Sequence, residues 1–278
     1  MNSPWILTLL GIAVGTFGTL VGAGGGFILM PLFFFIYPDK PADHLTAISL
    51  AVVFFNAASG TIAYVLKQRV DFKSGSLFAA ASVPGAMLGA FTTSFLSRNI
   101  FDPIFAGLLI LVGTYLVFKP SRMKNGASAK TALFNKHRPG RILIERNGTQ
   151  HYLSFHSGLG IGISVVVGFL SSLLGIGGGI IHVPALVHFL RFPVHIATAT
   201  SHFILAIMAL CGTLVHLLNG SLSGEGLKIA WLALGVIGGA QLGAKLSDRV
   251  QGNWIIRGLA FALVLVGLRL ILVPIEKT

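Results

Sequence analysis

The sequence predicts an all-α, polytopic helical membrane protein built from two homologous halves. Three observations predict it. Only 10% of residues are charged, against about a quarter in soluble domains, while 54% are hydrophobic and the mean hydropathy is +0.84. A soluble fold of 278 residues would lack the polar residues to cover its surface. Apolar stretches long enough to cross a bilayer recur along the whole chain. A glycine-rich motif, a Thr/Ser motif and a Gly-Ala pair each occur twice in the same order, at offsets of 153, 152 and 154 residues, which marks internal duplication.

The elements follow in order. Ser3 to Pro38 contains no Asp, Glu, Lys, Arg or His, and at 36 positions it exceeds one straight crossing of about 20 residues. Gly22, Gly24, Gly25 and Gly26, then Pro31, interrupt it. The interruption predicts one helix over Trp5–Val21 and a short one over Phe27–Tyr37, whose eleven residues reach about half the bilayer at ~1.5 Å each. Segments Leu45–Leu66, Ser74–Phe95 and Pro103–Phe118 complete about five hydrophobic segments. The second half repeats the plan as Gly158–Leu174, Ile180–Leu190, Ile196–Leu218, Leu227–Ala244 and Trp254–Val273. Gly22-Ala-Gly-Gly-Gly26 with Pro31 recurs as Gly175-Ile-Gly-Gly-Gly179 with Pro184. Thr46-Ala-Ile-Ser49 recurs as Thr198-Ala-Thr-Ser201, and Gly89-Ala90 as Gly243-Ala244. Each half therefore carries a Gly-interrupted, broken helix pair.

Residues 1–118 form the first transmembrane repeat, 119–156 a linker, and 157–278 the second repeat. The net charge is +12, and Lys119 to Gln150 holds eight basic residues against one acid, Glu145. Between two apolar halves that block reads as a cytoplasmic loop near anionic headgroups, not as a nucleic-acid site. Arg141–Leu153 is rich in strand formers around Asn147-Gly148, a type I′ hairpin signal. The Asn147-X-Thr149 glycosylation pattern is irrelevant in a cytoplasmic position. With five crossings per half the repeats are inverted and the Lys/Arg count is 15 inside to 5 outside. With each broken pair as one crossing they are parallel and the count is 14 to 6. The counts do not separate the two; paired broken segments favour the inverted plan. The N-terminus has no basic region before its long apolar stretch and is expected to be retained.

Backbone at membrane depth must be satisfied by protein or water, so an irregular Gly-rich stretch there needs a reason. Close helix packing is one. Free N–H groups at the positive end of the following helix, a nest for an anion, are the other. Two copies, each followed at the same distance by a proline, favour a binding site. No βαβ unit or Walker ending surrounds these glycines, which excludes nucleotide-binding loops. On Leu45–Leu66 the residues Thr46, Ser49, Val53, Asn56 and Gly60 share one helical face. The matching face holds Thr198, Ser201, Leu205, Met208 and Gly212, with His202 beside it. Ser and Thr can simply bond their own helix backbone; an amide such as Asn56 facing lipid is costly.

Five of nine histidines lie between His182 and His216 (His182, His188, His195, His202, His216). No carboxylate or cysteine accompanies them, so no metal and no cofactor is expected. Cys211 is single, which excludes internal disulfides and CxxC chemistry, and reads as buried packing. All eight acids fall at loops or segment ends, whereas cation carriers place an acid in the membrane. A small anion held by N–H and hydroxyl donors is the expected substrate, with membrane lipids as the other partner. Backbone donors exchange no proton, so proton coupling, if present, falls on histidine, with His202 the candidate.

Gly-X-Gly-Gly-Gly followed by a Met/Val-Pro pair, doubled in a chain of this size, resembles the TauE/SafE family of membrane transporters from about Gly11 to Leu272. The resemblance implies a transporter, an exporter of sulfite, sulfoacetate and related sulfur-containing or organic anions. It also implies that Gly22–Gly26, Pro31, Gly175–Gly179 and Pro184 line the substrate pathway. A channel would use similar broken helices and is separated from a carrier by saturable, coupled flux. An enzyme would need a nucleophile–base or acid pair at membrane depth, which the sequence lacks. The oligomeric state is not legible.

Overall fold

The computed structural model describes residues 3–118, 141–153, 156–250 and parts of 257–268. Helices α1 (Pro4–Val21), α2 (Gly26–Ile36), α3 (Ala42–Leu66), α4 (Phe72–Thr93) and α5 (Arg98–Phe118) precede strands β1 (Arg141–Ile144) and β2 (Gln150–Leu153). Helices α6 (Ser157–Leu174), α7 (Gly179–His188), α8 (Val194–Leu218) and α9 (Gly226–Leu246) follow. Among the described residues six helices, α1, α3, α4, α6, α8 and α9, are long and apolar enough to cross a membrane, while α2 and α7 are short and apolar. The basic run 119–140 and most of Trp254–Val273 lie outside the described residues.

Local chemistry sets several boundaries. Pro4 occupies the first turn of α1, where its missing N–H is no loss. Asp71 caps α4 by accepting from the Ser74 N–H at 3.5 Å and from the Ser74 hydroxyl at 2.6 Å. α5 starts at Arg98, earlier than the expected Pro103. The Arg98 guanidinium binds Asp102 one turn on (3.1 Å) and the Lys40 carbonyl (3.0 Å), which holds a turn of helix ahead of the proline. Cys211, expected as buried, is only half-buried. The strands pair antiparallel from Arg141↔Leu153 to Ile144↔Gln150. Their turn is not type I′, which needs positive φ at both central residues. Gly148 alone has it (+83°), and the Gly148 N–H donates to the Glu145 carbonyl at 2.9 Å. The result is a type I turn closed by a glycine bulge.

Loop contacts fix the direction of each helix. At one end, here the hairpin end, the α3–α4 connection, the hairpin turn and the residues after α9 meet. Lys67 pairs with Asp248 (2.6 Å), and Arg69 pairs with Glu145 (2.8 Å) and Asp248 (2.7 Å). At the opposite end Lys40 pairs with Glu225, Ser221 donates to Asp43 (3.1 Å), and Arg98 reaches the Lys40 carbonyl. So α3 and α9 run toward the hairpin end and α4 runs away from it.

Glycines let the remaining helices dock backbone to backbone. A Cβ on Gly235, Gly239 or Gly243 of α9 would lie 2.2, 2.4 or 2.3 Å from the carbonyl oxygens of Thr8, Ile12 and Thr16 on α1. The order shows α1 parallel to α9. Likewise a Cβ on Gly85 or Gly89 of α4 would lie 2.2 Å from the Val165 or Phe169 carbonyl oxygen of α6, so α6 runs parallel to α4. Small residues at such spacing give membrane helices their closest approach. α3 and α8 cross antiparallel: Gly60 packs on His202 and Gly212 on Leu50, with Val53, Leu205 and Met208 in one buried cluster between them. α1 therefore runs toward the hairpin end and α2 returns from it, while α6 and α7 trace the reverse course.

Candidate functional site

The candidate site is the place where the two glycine breaks meet. α1 ends at Gly22 (φ +87°) and α6 at Gly175 (φ +68°), both left-handed. Gly25 and Gly178, the residues before α2 and α7, are left-handed too, a conformation that glycine adopts without steric cost. Every residue from Gly22 to Gly26 and from Gly175 to Gly179 is buried. The loops touch reciprocally: a Cβ on Gly26 would lie 2.7 Å from the Gly175 carbonyl oxygen, and one on Gly179 would lie 2.1 Å from that of Gly22. Thr46 of α3 flanks Gly175, and Thr198 of α8 flanks Gly22, each with its Cα 3.0 Å from the glycine's would-be Cβ. The Val53 side chain lies against both Gly24 and Gly177. Pro31 and Pro184 are buried within the short helices α2 and α7.

Hydrogen bonding gives this crossing an electrostatic sign. The last carbonyls of α1 and α6 carry the negative ends of their helix dipoles, and donors occupy several of them. Gly18 O accepts from the Ala23 N–H (2.8 Å), Thr19 O from the Tyr64 hydroxyl (2.9 Å) and Gly22 O from the Ser201 hydroxyl (3.2 Å). In α6, Leu173 O accepts from Thr93 (2.8 Å) and Gly175 O from Ser49 (2.6 Å). Facing them are the N-termini of α2 and α7. The N–H groups of Gly25, Gly26 and Phe27, and of Gly178 and Ile180, have no acceptor among the described residues. The quenched carbonyls and open N–H groups leave a net bias toward negative charge.

The side chains singled out in the sequence sort into two groups. Ser49 and Ser201 spend their hydrogens on the breaks themselves. Thr46 Oγ1, Thr198 Oγ1 and Asn56 Nδ2 are buried with no hydrogen-bond partner among the described residues, as are Ser171 Oγ and Ser172 Oγ just before the second break. Buried polar atoms without partners are uncommon and call for an explanation. His202 Nδ1 lies 3.3 Å from the Thr198 carbonyl, and its Nε2 lies 3.2 Å from Thr19 Oγ1. Thr19 Oγ1 donates to Asn56 Oδ1 at 3.1 Å, so one hydroxyl of α1 joins Asn56 to His202. The Tyr64 ring stands edge-on to the imidazole at 5.5 Å. Thr19, Tyr64, Ser171 and Ser172 escaped the sequence reading. A lone hydroxyl in an apolar helix carries no signal beyond backbone bonding.

The five histidines do not assemble. His182 pairs with Ser164 at 3.3 Å, and His216 sits fourteen residues from His202, about 21 Å along α8. At the hairpin end Lys67, Arg69, Glu145, Arg146, Asn147 and Asp248 line a polar cleft of about 370 Å³. Burial alone would raise the Glu145 carboxyl, but hydrogen bonds from His151 and Arg69 overcome it and hold the group down at about 2.

Residues 7–270 match the family profile described as "Sulfite exporter TauE/SafE". The chain belongs to the TauE/SafE family. It is similar to "Probable membrane transporter protein YunE" of Bacillus subtilis, 34% identical over 96% of both chains. A probable membrane transporter protein of Methanocaldococcus jannaschii is 24% identical over 88% of this chain and 87% of its own length. The probable membrane transporter MamO of Paramagnetospirillum magneticum is 26% identical over 88% of this chain but 40% of its own. No solved structure matches the chain. As a TauE/SafE-family transporter with six membrane-length helices among the described residues, it is a multi-pass protein of the cell membrane.

Proposed function

We propose that this TauE/SafE transporter exports a small sulfur-containing or organic anion, such as sulfite, a sulfonate or sulfoacetate, by alternating access. The crossing of the two glycine breaks carries the reading. Two helix N-termini, each worth roughly half a positive charge, converge where several carbonyls already hold donors and where the hydroxyls of Thr46 and Thr198 and the Asn56 Nδ2 have no partner among the described residues. The acids among the described residues lie in loops or the first two turns of helices. An anion would satisfy these donors; a cation would meet N–H groups. In this reading the breaks, Thr46, Thr198 and Asn56 hold the anion, Ser49 and Ser201 brace the breaks, and His202 handles a coupling proton.

The halves 1–118 and 157–278 act as inverted repeats about an axis in the membrane plane, with the breaks near the midplane. Support comes from the opposite courses of α1–α2 and α6–α7, and from the exchange of partners between α1·α9 and α6·α4. The eight bases of 119–150 favour a cytoplasmic hairpin end. Ion pairs close both ends, and opening one set at a time gives alternating access.

A thermal-shift panel of sulfur oxyanions, sulfonates, carboxylates and small cations on the purified protein tests the substrate class. Stabilisation by cations only would end the anion reading. Flux in proteoliposomes that saturates and responds to a pH gradient separates a carrier from a channel. His202→Gln should keep binding and lose the pH response.

A further inference from the structure

We propose that the Thr19 hydroxyl couples protonation of His202 to the anion site by setting which end of the Asn56 amide faces the two breaks. The inference rests on the anion reading above and adds a positioning residue to it.

The Thr198 carbonyl can only accept, so the His202 Nδ1 that lies 3.3 Å from it carries a hydrogen. In the neutral ring Nε2 is then a bare acceptor. Its hydrogen-bond partner among the described residues is Thr19 Oγ1, at 3.2 Å, so the hydroxyl must turn its single hydrogen to the ring. Thr19 then offers Asn56 a lone pair, and Asn56 must answer with Nδ2. That leaves Asn56 Oδ1, an acceptor, as the end turned away from Thr19. When a proton adds to Nε2, the ring donates from both nitrogens. Thr19 now accepts from the ring and passes its own hydrogen to Asn56 Oδ1, which turns the amide over and frees Nδ2 as a donor.

The amide is placed as in the second arrangement. Thr19 Oγ1 donates to Asn56 Oδ1 at 3.1 Å, and Asn56 Nδ2, in a fully buried side chain, has no partner. Asn56 lies one turn beyond Val53, which touches both breaks. The freed donor is what a bound anion needs and the exposed acceptor is what repels it.

Few other groups could take over the switch. From α3 the titratable side chain against the imidazole is Tyr64, whose hydroxyl donates to the Thr19 carbonyl at 2.9 Å. From α1 the facing group is Thr19 itself. From α4, Asp71 reaches α8 through its backbone N–H on Thr200 Oγ1 (3.1 Å). The charged groups Lys67, Arg69 and Asp248 stand beyond Tyr64, paired with one another at the hairpin end.

The test uses the full-length protein in detergent, with two probes: sulfite, and methanesulfonate, whose charge is constant between pH 5.5 and 8. Wild type should bind more tightly at pH 5.5 than at pH 8 by about tenfold, the worth of one hydrogen bond to a charged group. In Thr19→Val the affinity should be flat with pH, although ¹⁵N-histidine NMR (His202 assigned with His202→Gln) still shows the ring titrating. Thr19→Ser should restore the slope. A wild-type slope in Thr19→Val, or a wild-type ring that never titrates in this range, overturns the proposal. The wild-type spectrum needs no variant: the neutral ring must be the Nδ1–H tautomer, and the other tautomer also overturns it. If neither probe binds at any pH, the anion reading fails by itself, and the tautomer still decides the hydrogen count.

Discussion

Gly179→Ala adds one methyl group where two backbones meet. Its carbon would sit 2.1 Å from the Gly22 carbonyl oxygen and 2.5 Å from the Ala23 Cα. Neither is a side chain that can swing aside. Gly22 O is tied to Ser201, and the mirror contact at Gly26 against Gly175 pins the second loop, so relief requires prising the breaks apart. Overpacking a tight core costs about 1–3 kcal/mol, occasionally more. Two overlaps with backbone atoms, each more than 0.5 Å inside ordinary contact, place this substitution at the top of that range or above. Gly238→Ala is the control, because nothing lies within 4 Å of its added carbon and alanine is favoured over glycine in a helix by about 1 kcal/mol. Thermal unfolding in one detergent and anion flux in liposomes are the assays. Gly179→Ala should lose several degrees of Tm and its flux, while Gly238→Ala keeps both. A Gly179→Ala protein with wild-type Tm and flux would show that the breaks do not touch.

Three further outcomes are expected. Asn56→Leu should abolish transport yet leave a folded protein by size-exclusion chromatography, because it removes the unpartnered donor and adds no polar group; normal flux would assign Asn56 to packing. In a Cys211→Ser background, Asn125→Cys in the linker should resist an impermeant thiol reagent applied to intact cells, and labelling from outside would overturn the cytoplasmic assignment. Glu145 is held below its ordinary value of 4.5, down to about 2, so its pairing with Arg69 and His151 stabilises the docked hairpin above pH 4.5. That support is lost as pH falls from there toward 2. Spin labels at Thr149 and Arg249 should move apart between pH 6 and pH 3, and an unchanged distance would refute the linkage.

Much of this architecture was legible because apolar length and glycine punctuation act locally. The apolar runs ended where Gly22 and Gly175 end α1 and α6, since a left-handed residue stops a helix whatever surrounds it. Boundaries that depend on distant partners were not legible. α5 starts at Arg98 because a guanidinium finds a carbonyl 58 residues away, and the turn at Asn147-Gly148 follows a five-residue connection rather than the dipeptide alone. The roles of hydroxyls were least legible. Ser49 and Thr46 read alike as polar residues on one face, yet the first braces the break at 2.6 Å and the second has no partner. Only the position of the other half of the chain distinguishes them.

The two halves also differ where their contacts correspond. At an offset of 152, Gly60 matches Gly212, Leu50 matches His202 and Asn56 matches Met208; at 153, Thr19 matches Ser172. The contacts correspond as well. A Cβ on Gly60 would meet His202 Cδ2 at 2.5 Å and Thr19 Cγ2 at 3.2 Å, and one on Gly212 would meet Leu50 Cδ1 at 3.0 Å and Ser172 Oγ at 3.1 Å. The same joint is built twice, once with an amide and an imidazole and once with a thioether and an isobutyl group. On the repeat reading, the paired parts (two N-termini, two threonines, two bracing serines) form an anion site that looks alike from either side of the membrane, as alternating access requires. The unpaired parts sit on the hairpin-end side of the crossing, where Gly60 and Tyr64 approach Lys67. On the proposed coupling through His202, a proton acts on the site through one arm only. On that reading duplication accounts for the shape and the field of the site, and departure from duplication accounts for the difference between its two arms.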